Sequence, residues 1–114
     1  MIVRFILGGL IYMGIEVLYD GTSHRSMGLV GGLSFVICSW YLKTLNINYW
    51  IMCVLMATTI VILEYIAGKI WNSNFSIWDY RKMPFNFQGQ VCLTFYVIWI
   101  VIISPVIMWL DKLL

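Results

Sequence analysis

Four long apolar runs divide the chain, at about residues 2–19, 27–42, 49–66 and 91–110, and most polar positions gather between them. Each run approaches the ~20 residues that carry a helix across ~30 Å of hydrocarbon. Inside lipid no water pairs with backbone N–H and C=O groups, so each run is predicted to be a helix. A membrane barrel would instead show short segments alternating between apolar and polar residues. The expected fold is all-α: one integral membrane four-helix bundle over residues 1–114. The first run is interrupted by Gly8-Gly9, contains Glu16 and is followed by no small-residue cleavage site. It is therefore read as a retained helix and not as a signal peptide.

The stretch between the third and fourth runs, "SNFSIWDYRKMPFNFQGQ" at residues 73–90, breaks this pattern with charged and amide residues among aromatic ones. Ser76 and Asp79 have the spacing of a helix capping pair. Trp78 and Tyr80 favour the headgroup level of a bilayer, and Pro84 would end a helical turn. A short interfacial helix is expected there, with Asn86 capping helix 4. Helix 2 opens with Gly28, Gly31 and Gly32, and helix 3 carries Gly68. Small residues at such spacing let another backbone approach closely, the main route to tight packing in lipid. Their partner helix is left open. Pro105 predicts a kink near Val101, since its ring removes an N–H and crowds the carbonyl four residues earlier.

Composition sharpens this reading. Hydrophobic residues make up 62% of the chain and charged residues 11%, whereas a soluble domain carries about a quarter charged. A net charge of +2, scattered along the chain, does not suggest nucleic acid. With four spans, Arg4, Lys43 and Lys112 share one side, and Arg25, Lys69, Arg81 and Lys82 the other. With the two sides so nearly balanced, the positive-inside rule selects no orientation. Cys38, Cys53 and Cys92 all lie in apolar runs and are expected to be packing residues. No cluster has metal-ligand spacing, and no nucleophile elbow or phosphate loop is present. Neither a metal nor a cofactor is expected, and the protein is not expected to be an enzyme.

Two glutamates lie inside apolar runs. Glu16 is four residues before Asp20, about 6 Å below that helix end, and Glu64 is five residues before Lys69, about 7–8 Å below its own. Helices 1 and 3 run in the same direction, so both acids are placed near one membrane face. His24, Arg25 and the 73–90 stretch lie at that face too. A carboxylate within the membrane is unfavourable by about 3 kcal/mol at the bilayer centre, less near the interface. Two readings account for its presence. In one the acids are neutralised structurally, by an ion pair with Arg25, Arg81 or Lys82 or by a carboxyl that stays protonated through desolvation; in the other they line a wet pocket for a cation, a proton or a polar head group. On helix 1 the stripe Gly9, Tyr12, Glu16 and Tyr19 brings rings beside the carboxylate. On helix 3 the stripe is Ala57, Val61, Glu64 and Gly68.

"IYMGIEVLYDGTSHRSMGLVGGLSFV" resembles the first half of a family of small bacterial membrane proteins, the ABC-transporter type IV family, which has vertebrate relatives. "ILEYIAGKIWNSNFSIWDYRKMPFNFQGQVCLTF" resembles the second half. The ordered combination of E…G, W-D-Y, P-F-N and Q-G-Q-V-C-L carries the resemblance, which covers roughly residues 8 to 110. The resemblance implies a transport role and places Glu16, Glu64, Trp78, Asp79, Tyr80, Pro84, Asn86 and Gly89 at recurring positions. Arg25 stands where members carry Trp or Pro, which separates it from that set. No P-loop lysine motif is present, so an ABC-type role would need a separate ATPase subunit.

The expected activity is binding, and movement, of a small polar or cationic solute at one face of the cell membrane by a multi-pass protein. Glu16, His24, Glu64, Trp78, Asp79, Tyr80 and Asn86 are the candidate ligand-binding residues. One chain of four helices is cramped for transport, so a homo-oligomer or a membrane partner subunit is expected. The competing readings are a non-catalytic scaffold or accessory subunit, and a membrane enzyme acting at the lipid interface.

Overall fold

A computed structural model of the chain describes residues 1–20, 25–75 and 79–114. It is all-helical apart from one short hairpin. α1 (Ile2–Asp20), α2 (Arg25–Thr44) and α3 (Tyr49–Trp71) precede a two-residue antiparallel ladder, β1 (Asn86–Phe87) against β2 (Val91–Cys92). The last helical run follows as α4 (Leu93–Ile98), a π turn (Trp99–Ile103) and α5 (Ser104–Leu113). Among the described residues, α2, α3 and the run Leu93–Leu113 are long and apolar enough to cross a membrane. α1 is also apolar but is not one of those three.

α1 packs chiefly along α2, and glycine makes this contact possible. A Cβ on Gly8 would sit 2.5 Å from the Gly31 carbonyl oxygen and 2.7 Å from Phe35 Cβ. One on Gly9 would meet the Gly28 carbonyl at 2.8 Å, and one on Gly32 the Phe5 carbonyl at 2.8 Å. Backbone thus touches backbone, and the partner of the helix 2 glycines is α1 of the same chain. Gly8-Gly9, which interrupt the first apolar run, are the other half of that contact. Gly68 is buried on α3. The core beyond it is built from Met27, Cys38, Cys53, Met56, Ala57 and Ile60, with all three cysteines buried as free thiols.

Three expectations about the second half change. α3 continues past the predicted end at residue 66 to Trp71, and Asn72 closes it by donating its N–H to the Gly68 carbonyl at 2.9 Å. The connector holds no helix among its described residues; Ser76 and Trp78 lie outside them. Phe75, Phe85, Gln88 and Gly89 have φ of 59°, 53°, 54° and 71°, values a right-handed helix does not allow. Asn86 does not cap helix 4 either. Its Nδ2 donates to the Met83 carbonyl at 2.9 Å, and its Oδ1 accepts the Gly89 N–H at 2.9 Å, which folds residues 83–89 into a tight turn. Cys92 precedes α4 without a side-chain cap.

The kink expected from Pro105 takes the form of the π turn. Proline offers no N–H to the Val101 carbonyl, and the helix widens just before it, with the Ser104 N–H reaching the Trp99 carbonyl. Ser104 is fully buried, and its hydroxyl donates to the Cys53 carbonyl of α3 at 3.2 Å. At the far end of α5, Asp111 accepts from Arg4 Nε of α1 at 2.8 Å and from the Ser39 hydroxyl of α2 at 2.7 Å. One carboxylate therefore joins three helices at the end opposite the acids.

Candidate functional site: a buried acidic and aromatic cluster

Glu16 stands one turn beyond Tyr12 on α1, and Glu64 one turn beyond Ile60 on α3. Parallel helices bring both to one end of the packed helices, where both are buried. Because α3 runs to Trp71, Glu64 lies about 10 Å below its helix end, a little deeper than expected. Glu16, Glu64 and the Tyr12 phenol are within electrostatic range of one another.

Glu64 is 3% exposed, and Tyr12 and Trp99 both turn towards its carboxyl. Even so, Glu64 Oε1 and the Trp99 indole Nε1 each lack a hydrogen bond of acceptable geometry. A buried polar atom without a partner is unfavourable by about 1–3 kcal/mol, and more when it belongs to a charged group. Almost every buried polar group in a native protein avoids this state. The indole N–H is a donor and the carboxyl oxygen an acceptor, so Oε1 is the atom open to a further donor.

Rings complete the wall. Tyr12 stacks on Trp99 with centroids 5.8 Å apart, Trp99 meets Phe95 at 6.5 Å, and Phe95 stacks on Tyr80 at 5.0 Å. The tight turn seats Tyr80 here, because its N–H donates to the Gly89 carbonyl at 2.9 Å. A reciprocal amide pair anchors the same connector to α3. Asn72 Nδ2 donates to Gln90 Oε1, and Gln90 Nε2 donates to the Asn72 carbonyl, both at 3.0 Å and both buried.

The structural ion-pair reading finds no support at Glu64. Among the described residues the ion pairs are Arg4–Asp111 and Arg81–Asp79. Arg81 grips Asp79 through Nη2 at 2.7 Å and Nε at 2.9 Å, while its guanidinium lies 4.2 Å from the centre of the Phe75 ring. Arg25 and Lys82 are exposed. Asp79 is exposed as well, and the hydrogen-bonded Arg81 guanidinium holds its carboxyl down at about 2. It shapes the connector and does not reach the buried cluster.

The structure thus brings Glu16, Glu64 and Tyr80 together, places Asp79 at the surface, and gives Asn86 to the turn. His24 and Trp78 lie outside the described residues. Trp99, Phe95 and Asn72 do not stand out in the sequence, and Gln90, part of the Q-G-Q motif, is visible there without its partner. A tryptophan deep in an apolar run is the signal for the first, since its indole N–H has no water to meet there.

Beyond the Tyr12–Trp99 stack the interior opens into a cavity of about 90 Å³. It runs from Ile15 and Trp99 at the acidic end to Gly8 and Leu110 near the Arg4–Asp111 pair. Its outer edge is a gap between α1 and α5 where Ile11, Ile15 and Leu110 are half-buried and Val106 is exposed.

A model of the family described as "Putative ABC-transporter type IV" matches residues 5–114. Comparison with curated proteins and with solved structures finds no match.

Proposed function

The chain belongs to the ABC-transporter type IV family, and on that premise we propose that it is a multi-pass protein of the cell membrane that binds and moves a small cationic solute. All four apolar runs would span the bilayer, with the 79–92 connector over the mouth of the site. The observation that carries this reading is the Glu64 carboxyl, buried at 3% exposure with Oε1 unbonded. A carboxylate removed from water is stable only when paired or neutralised, and no described base pairs with it. Without such a base the carboxyl holds its proton until a bound cation takes that proton's place. Glu16, in electrostatic range, strengthens the field at the same point.

The chain acts here as a binding and conducting element and not as an enzyme. It contains no G-x-x-x-x-G-K-[ST] sequence, so any ATP-driven step would belong to a separate subunit. A second copy or a partner would complete the path that one chain is too narrow to form.

The test is Glu64→Gln in lipid nanodiscs, with methylammonium as the probe. The variant is expected to keep its helical circular dichroism and its monodispersity and to lose at least tenfold in affinity. Unchanged binding in Glu64→Gln overturns the proposal. Loss of the fold in Glu64→Gln and Glu64→Asp alike favours the scaffold reading instead.

A further inference from the structure

We propose that the ligand of this site is an organic ammonium ion carrying a short aliphatic arm, and that it enters sideways from the lipid through the gap between α1 and α5. The inference rests on the cation-binding reading above and specifies what kind of cation the site takes. Tyr12 and Trp99 belong to two surfaces at once: they face Glu64 on one side and line the cavity on the other. A ligand held by the carboxyl therefore has the cavity on the far side of these two rings, which part to admit its arm.

The cavity is almost wholly apolar. Its one hydroxyl side chain of aliphatic type, Ser34, donates back to the Val30 carbonyl at 2.6 Å. Water needs two to four polar partners to occupy such a space. A hard metal cation needs six or more oxygen ligands in place of its shell. An ammonium group asks for only a few acceptors, and its carbon arm gains from leaving water. Size limits that arm. The volume of about 90 Å³ is smaller than the ~150 Å³ cavity that takes a benzene ring. A chain of a few carbons fits.

The route follows from the same residues. Each of Ile11, Ile15, Val106 and Leu110 is at least partly exposed at the rim, and α1 is tied to the last helical run by Arg4–Asp111 near its start and by Tyr12–Trp99 at its middle. If the helices span the bilayer, this rim faces hydrocarbon, which the amine crosses in its neutral form before taking the proton of the Glu64 carboxyl.

The experiment measures binding of the n-alkylammonium series from methyl to octyl to the protein in nanodiscs, with empty nanodiscs subtracted. In the wild-type protein, affinity should rise about fourfold per methylene for the first few carbons and then level off. Val106→Trp, which plugs the rim from α5, should abolish that rise. Ile15→Phe, from α1, should do the same and serves where Val106→Trp does not assemble. Methylammonium binding that depends on Glu64 but shows no gain with chain length overturns this inference and leaves the cation-binding reading standing. A rise that persists in both plugged variants also overturns it. Potassium displacing butylammonium at equal concentration overturns it in favour of an inorganic ion. No alkylammonium binding in the wild-type protein, or binding that Glu64→Gln leaves intact, removes both readings together.

Discussion

Asp79 and Glu64 are both acids of the second half of the chain, yet their surroundings put them to opposite uses. Asp79 is solvated and gripped by Arg81, which stabilises its ionised form. Its folded value is depressed from 3.8 to about 2, so whatever order the pair gives the connector is present above about pH 4. It is lost as pH falls towards 2. A carboxyl carbon titration by NMR should place the Asp79 midpoint near 2, and Arg81→Gln should return it to about 3.8. Glu64 has no such partner among the described residues, and its unbonded oxygen carries the functional argument. Both acids are visible in the sequence as interruptions of pattern. Trp99 is not, because in an apolar run a tryptophan looks like one more hydrophobe until the fold shows what its N–H faces.

At the scale of the element, the contact between α1 and α2 depends on missing side chains. Gly8→Ala would force a methyl against the Gly31 carbonyl and Phe35, and should destabilise the protein by about 1–3 kcal/mol. Gly14 lies on the same helix, and a Cβ there would meet nothing within 4 Å. Gly14→Ala should instead be neutral or stabilising by up to about 1 kcal/mol. Unfolding of the pair in graded SDS distinguishes a close approach from a merely small residue. The helix 2 glycines can be read as a packing face from spacing alone, but the sequence leaves their partner open, since α1 and another chain satisfy the same pattern. The connector is less legible. The Ser76–Asp79 spacing suggests a helix, while Asn86 and the left-handed residues Phe85, Gln88 and Gly89 make a turn. Over residues 81–89 the Asn86 side chain sets the local structure by bonding three backbone groups of its own loop, while Ser76 lies outside the described residues.

Across the whole molecule, one end is acidic, with no described base beside Glu64, while the other joins Arg4, Asp111 and Ser39. Asp111→Ala would strand the Arg4 guanidinium at 14% side-chain exposure and should lower stability by about 3 kcal/mol. Arg4→Met combined with Asp111→Leu should recover most of that loss in the same unfolding assay, because replacing both partners leaves no orphaned charge. The placement of the two glutamates at one end follows from helix direction and can be counted out from the sequence. The clamp cannot, because Arg4 and Asp111 sit near opposite ends of the chain and only packing joins them. Between these ends lies the widened turn at Trp99–Ile103. One extra residue in a turn offsets everything after it by about 100°. Trp99 can therefore look inward at the acids while Ser104, Ile107 and Asp111 look inward on a phase of their own. With a uniform helix, one of those two inner faces would have been given up to the lipid.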